Sequence, residues 1–151
     1  MVLLPSMDLL ILGDIEAADY TPEDLTYAIR IFSIDPRSRE LTPNLKPSEL
    51  YHTKEYEFDD ITPEKGKGFL FDEDTARKIL QDFQTQRDGH KTLLVHCSLG
   101  RNRSPAIGMS LNEIFNLGHD ADALKNQFQN YNPHVYETMK KTAETIGLNQ
   151  P

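Results

Sequence analysis

A chain of 151 residues can bury one sizeable core but is short for two, so a single domain over residues 1–151 is expected. With 38% hydrophobic and 26% charged residues and no low-complexity run, the composition excludes fibrous and disordered classes. A net charge of −8 argues against bulk binding of nucleic acid or anionic membranes, and the single cysteine excludes an internal disulfide and fits a reducing compartment, the cytoplasm.

Met1 to Leu12 is apolar but lacks a basic leader region and is interrupted by Pro5 and Asp8, so it reads as a strand with a leader and not as a signal peptide or membrane span. The run from Asp8 to Leu12, ended by Gly13, suits a buried strand. Glu16 to Tyr20 suits a brief helical turn. Leu25 to Ile34 is rich in apolar and β-branched residues, and Asp35–Pro36 stops it as a strand. Arg37 to Ser48 carries charge, Pro43 and Pro47 but no periodicity, and predicts a loop. Tyr51 to Phe58 predicts another strand, closed by Asp59–Asp60–Ile61–Thr62–Pro63, with a mobile charged loop at Glu64 to Gly68.

Asp72, Glu73 and Asp74 open a helix in which Ala76, Ile79, Leu80 and Phe83 share one face, and the carboxylates suit its N-terminal turn. Asp88–Gly89 ends it. A strand from Leu93 to His96 follows, giving the helix-then-strand order of α/β proteins. Beyond residue 104, Ile107, Leu111, Ile114 and Phe115 line a helix closed by Gly118. Leu124, Phe128 and Tyr131 mark a further helix before Pro133. The last helix carries Val135, Met139, Ala143 and Ile146, with Gly147 beyond it. These stripes are core positions on the ordinary meaning of helical periodicity.

The chemistry concentrates where the strand at Leu93–His96 runs into Cys97. A short polar loop with Gly100 separates that cysteine from Arg103, Ser104 and a helix start. Loop amides and a helix N-terminus make an anion cradle, and both favour the thiolate form of a cysteine placed there. A guanidinium at Arg103 can grip two oxygens of a tetrahedral oxyanion. Thiolate, amide nest and arginine together suit attack on phosphorus.

His96-Cys97-x-x-Gly100-x-x-Arg103-Ser104, followed by Pro105, resembles the signature loop of the cysteine-dependent protein tyrosine phosphatase superfamily, and within it the small dual-specificity-like branch of microbial type. The resemblance extends over about residues 50 to 147, because an Asp before a mobile loop, a helix and then the strand to the cysteine follow in the order of that superfamily. The N-terminal strands match in general character only. The fold it implies is α/β, with a central, mostly parallel sheet of four to five strands flanked by helices and the signature loop between the last strand and a helix. Low-molecular-weight phosphatases and arsenate reductases, which share the cysteine–arginine spacing, place the cysteine near the N-terminus, whereas Cys97 comes late.

The resemblance implies a phosphatase in which Cys97 forms a cysteinyl-phosphate intermediate. Arg103 would bind the phosphate and stabilise its equatorial oxygens. The amides of Ser98, Leu99, Gly100, Arg101, Asn102 and Arg103 would cradle it, and Ser104 would donate to the sulfur, although Ser104 also suits the N-cap of the following helix. His96 would orient the loop from behind. The general acid falls on Asp60, two residues after the apolar Phe58, with Asp59 in reserve.

No metal and no cofactor is expected: His52, His90, His119 and His134 are scattered, and no phosphate-binding loop of the G-x-x-x-x-G-K-[ST] type is present. The expected partner is a phosphorylated protein or a small phosphoester, with no membrane and no bulk nucleic-acid binding, acted on by a monomer. Phosphotyrosine, and phosphoserine or phosphothreonine after it, is the leading substrate class. Arg101 adds a second cation to the loop and resembles members acting on inositol phosphates, while Asn102–Arg103 resembles members acting on RNA 5′ ends. A catalytically weak phosphate-binding module is the remaining alternative.

Overall fold

The computed structural model describes residues 5–65 and 67–148. The first four residues of the apolar leader, and Gly66 of the charged loop, lie outside the described residues. Four strands, β1 (Asp8–Leu12), β2 (Thr26–Phe32), β3 (Tyr51–Glu57) and β4 (Thr92–His96), form one sheet in the order β1-β4-β2-β3. Every pairing is parallel, with Leu10 opposite Leu94, Ala28 opposite Leu94 and Ala28 opposite Thr53. The expected mostly parallel sheet is therefore wholly parallel. The central pair, β2 and β4, is buried along its whole length, which is why both read as apolar runs.

Side chains of a strand alternate between faces, and here the two faces are covered unequally. Tyr27, Ile29 and Ile31 of β2 and Leu93 and Val95 of β4 enter the main core. Against them pack α3 (Glu73–Gln86), α4 (Arg103–Ile114) and α6 (Pro133–Thr145), through Ile79, Leu80, Phe83, Ile107, Leu111, Val135 and Met139. On the other face a small cluster of Ala28 and Leu94 is capped by Ala17 of α1 (Asp14–Asp19). The same alternation, continued one residue past β4, directs Cys97 to the α4 side and His96 to the opposite one.

Two expectations are corrected. Residues 37–48 are not all loop, because Arg37–Leu41 forms a short helix, α2. Its support is tertiary and local. Asp35 accepts from the Arg37 amide at 3.0 Å, Ser38 Oγ accepts from the Ser33 amide at 3.0 Å, and Arg39 stacks over Phe32 while pairing with Glu55 and Glu57 of β3. None of this leaves an apolar period in the sequence. The helix predicted around Leu124, Phe128 and Tyr131 is α5 (Ala121–Gln127), capped at Asp120; Phe128 is its C-terminal cap and Tyr131 lies beyond it. Among the described residues no helix is long and apolar enough to cross a membrane.

Candidate active site

A parallel sheet brings all its strand C-termini to one edge, and the site is assembled there. The loop after β4 rests on the end of β1. The Cys97 amide donates to the Leu12 carbonyl at 3.4 Å, and the Asp14 amide donates to Ser98 O at 3.0 Å. Gly100 has a φ of +75°, and a Cβ there would stand 2.5 Å from Gly13 N and 2.6 Å from Leu12 C. Only glycine fits both the left-handed backbone and the close approach. Gly13 is the complementary half of this contact, since a Cβ on it would meet Ser98 O at 3.0 Å.

Cys97 is 3% exposed, at the floor of this loop. Its sulfur differs from that of a packed structural thiol in having polar partners. The Gly100 amide donates to Sγ at 3.3 Å, and Ser104 Oγ lies 3.2 Å away. Both can stabilise negative charge on sulfur. Ser104 Oγ also lies 3.2 Å from Leu12 O, to which it donates. A hydroxyl has one proton for two acceptors, so ionisation of the sulfur calls it away from the Leu12 carbonyl and towards Sγ. The N-cap of α4 is Asn102, so Ser104 is not the cap and its hydroxyl faces the sulfur. The amides of Ser98, Leu99, Arg101 and Asn102 donate to no other described residue, leaving four open N–H groups in one loop.

Arg103 is 5% exposed and fastened from its far side. Nη1 donates to Phe58 O at 2.9 Å and Ser33 Oγ at 3.0 Å, which ties it to the ends of β3 and β2. Nη2 reaches Ser98 Oγ only at 3.4 Å, and Nε has no partner among the described residues. The Nε–Nη2 edge is thus the one left for an oxyanion.

Behind the loop, His96 is buried against Arg30. Nε2 accepts from Arg30 Nε at 3.0 Å, so the ring proton resides on Nδ1, which faces Cys97 O at 3.4 Å. Burial, joined by the neighbouring guanidinium, pushes His96 down to about 4 and keeps it neutral. Arg30 is itself held by Pro43 O at 2.9 Å and by Glu55 at 3.7 Å.

The two candidate acids have different surroundings. Asp59 spends both oxygens on backbone amides, Oδ1 on Ile34 N at 3.0 Å and Oδ2 on Phe69 N at 2.7 Å. It is a brace between loops. Asp60 is exposed, and only Oδ1 is engaged, by Asn132 Nδ2 at 2.9 Å. Asp60, Asn102, Asn130 and Asn132 line a cleft of about 140 Å3. Arg101 is exposed, without an ion pair among the described residues, beside a cleft of about 240 Å3 lined by residues 127–130.

The structure brings together His96, Cys97, Ser98, Gly100, Arg103 and Ser104, and sets Leu99 and Arg101 on the rim. Sequence reasoning missed Gly13, Arg30, Ser33 and Asn132. Gly13 was legible only as a strand end, and Asn132 only as the residue before Pro133, where a helix was expected to end. Arg30, a charge in the middle of an apolar strand, was the one anomaly that could have been followed. No group of three His, Cys, Asp or Glu suited to a metal occurs among the described residues.

No family model and no curated protein sequence matches the chain. Solved structures similar to the chain include the following three. Tk-PTP in its active form superposes with a TM-score of 0.50 at 17% identity, covering 87% of this chain and 83% of that one. PTPMT1, in complex with PI(5)P, gives 0.49 at 14% identity over 81% of this chain and 79% of that one. Human tyrosine phosphatase-like serine/threonine/tyrosine-interacting protein gives 0.46 at 23% identity over 82% and 79%. The likeness to Tk-PTP shows a shared α/β fold, a parallel sheet flanked by helices.

Proposed function

We propose that the chain is a cysteine-dependent phosphatase hydrolysing phosphomonoesters, with phosphotyrosine in proteins as its leading substrate class. The observation that carries this reading is the sulfur of Cys97 with an amide and a hydroxyl on it, in a loop whose four further amides have no partner among the described residues, together with a guanidinium fastened only along its far side. The thiolate attacks phosphorus and forms a sulfur–phosphorus bond as the bond to the leaving oxygen breaks. Arg103 and the loop amides hold the equatorial oxygens. Asp60 gives its proton to the departing oxygen, and its carboxylate then takes a proton from the water that attacks the phosphocysteine, releasing phosphate and the thiolate. Asp60 is preferred to Asp59 because both Asp59 oxygens accept from backbone amides, bonds that favour its ionised form, whereas Asp60 has one oxygen engaged.

Support for an apolar leaving group comes from the rim. Ile15, Ile34, Phe69 and Leu99 are all exposed and lie in segments adjoining strand C-termini, at the same edge as Cys97. A tyrosyl ring suits such surroundings better than a polar alcohol. A second reading, a non-protein ester with a further anionic group, is favoured by Arg101, exposed on the rim with no ion pair among the described residues.

The test is turnover of a phosphotyrosine peptide and an inositol phosphate by wild type and Cys97→Ser. Loss of all turnover by Cys97→Ser with retained phosphate binding, and inhibition of the wild type by vanadate, is the expected result. A serine variant as fast as the wild type contradicts the reading. Faster turnover of the inositol phosphate supports the second substrate class.

A further inference from the structure

Asn132 does more than begin a helix. It is 4% exposed, and its side chain makes three hydrogen bonds. Oδ1 accepts from the Val135 amide at 3.1 Å, capping α6. That bond fixes the amide's orientation, so Nδ2 must face the other way. There it donates to Asp60 Oδ1 at 2.9 Å and to Ile61 O at 3.0 Å. The Asn132 amide also donates to Asn102 O at 3.0 Å, and Asn102 Nδ2 returns a bond to Asn130 O at 2.6 Å. Asn102 is the neighbour of Arg103. One residue thus joins the segment bearing Asp60 to the loop bearing Cys97.

Capping alone asks for any small side chain with an acceptor, and Ser, Thr or Asp would serve. The set of bonds seen here asks for one acceptor and two donors on a short planar group, which only asparagine supplies at this length. We propose that Asn132 is the positioning residue for proton transfer: by occupying Asp60 Oδ1 it leaves the transferable proton on Oδ2 and holds that oxygen at a fixed place relative to the phosphate loop. The proposal rests on the reading of Asp60 as the general acid. Asn132 touches no reacting atom; it acts through Asp60.

Proton donation matters most for a leaving group of high basicity and little for one that departs as a stable anion. The experiment compares kcat and KM on phenyl phosphate and 2,4-dinitrophenyl phosphate for wild type, Asn132→Ser, Asp60→Asn and the double variant. Serine keeps the cap acceptor but cannot supply both donors. The expected result for Asn132→Ser is a fall in kcat of roughly 10- to 100-fold on phenyl phosphate, with KM nearly unchanged and much less loss on the dinitrophenyl ester. In the Asp60→Asn background the same substitution should cost nothing further on phenyl phosphate. Equal losses on both esters, or full additivity in the double variant, overturn the positioning role while leaving Asp60 as the acid. Unchanged phenyl phosphate turnover by Asp60→Asn alone overturns the acid assignment and the proposal with it. Should Asn132→Ser fail to fold, Asn132→Asp, which also keeps the cap acceptor, must show the same leaving-group dependence or the proposal fails.

Discussion

Residues that look alike in the sequence are separated by their hydrogen bonds. Asp59 and Asp60 are adjacent carboxylates after the same strand, and the resemblance put Asp60 first with Asp59 in reserve. Two backbone amides engage Asp59 and one side-chain amide engages Asp60. Asp60→Asn is expected to lower kcat on phenyl phosphate by about 100-fold or more with little change in KM, the order associated with general acid catalysis. Asp59→Asn should instead lower stability, read as an earlier urea midpoint. His96 was legible as a loop-orienting residue, but its partner Arg30 lies 66 positions away and had no local signature. Burial of His96, with Arg30 beside it, has a consequence for stability. Native His96 stays neutral down to about 4, while an unfolded histidine takes up a proton near 6.5. The stabilisation is therefore complete above about 6.5 and is lost as the pH falls towards 4. Between pH 7.5 and 5.5 the wild type should lose about 1.4 kcal/mol from this source, and His96→Gln should lose correspondingly less in urea titrations at the two pH values.

Helices and strands with strong periodicity were readable, and the loop element depends on a contact that was not. The apolar faces of α3, α4 and α6 and the runs of β2 and β4 fall where their patterns put them, because each buries one face or all of itself, whereas β1, expected as a buried strand, is an edge strand whose apolar residues are only half-buried. Helix α2 escaped because a five-residue helix fastened by Asp35, Ser38 and Arg39 has no period to detect. The signature loop was recognisable from its own residues, yet its shape depends on Gly13, eighty-odd positions earlier in the chain. Gly100→Ala would press a methyl group against Gly13 N and Leu12 C from a backbone that disfavours it. The loop must shift, and displacement by about 1 Å costs on the order of 100-fold in kcat/KM, which steady-state kinetics on the folded variant would register. A contrasting change is Asp72→Ala, which removes the α3 cap bond to Thr75 N at 2.8 Å. It should cost about 1 kcal/mol in urea unfolding and leave kcat unaltered.

On the scale of the molecule, a sheet in which every strand runs the same way decides which distant residues meet. Gly13, Ser33, Phe58 to Asp60 and Cys97 each follow a different strand, and the order β1-β4-β2-β3 sets them side by side. Hydrophobic pattern specifies that strands exist and says nothing of their order. For that reason the fastening of Arg103 by Ser33 and Phe58 became visible only in three dimensions. The chemistry derived from this assembly uses sulfur, a guanidinium and a carboxylic acid alone, so EDTA should leave turnover unchanged. The central claim is that the Cys97 sulfur becomes bonded to phosphorus during turnover. Rapid quenching of the wild-type protein mixed with p-nitrophenyl phosphate, followed by peptide mass mapping, tests it most directly. The expected result is one PO3 group on the peptide containing Cys97, formed before free phosphate accumulates. Steady turnover with no such adduct, or with the group on any other side chain, would contradict it.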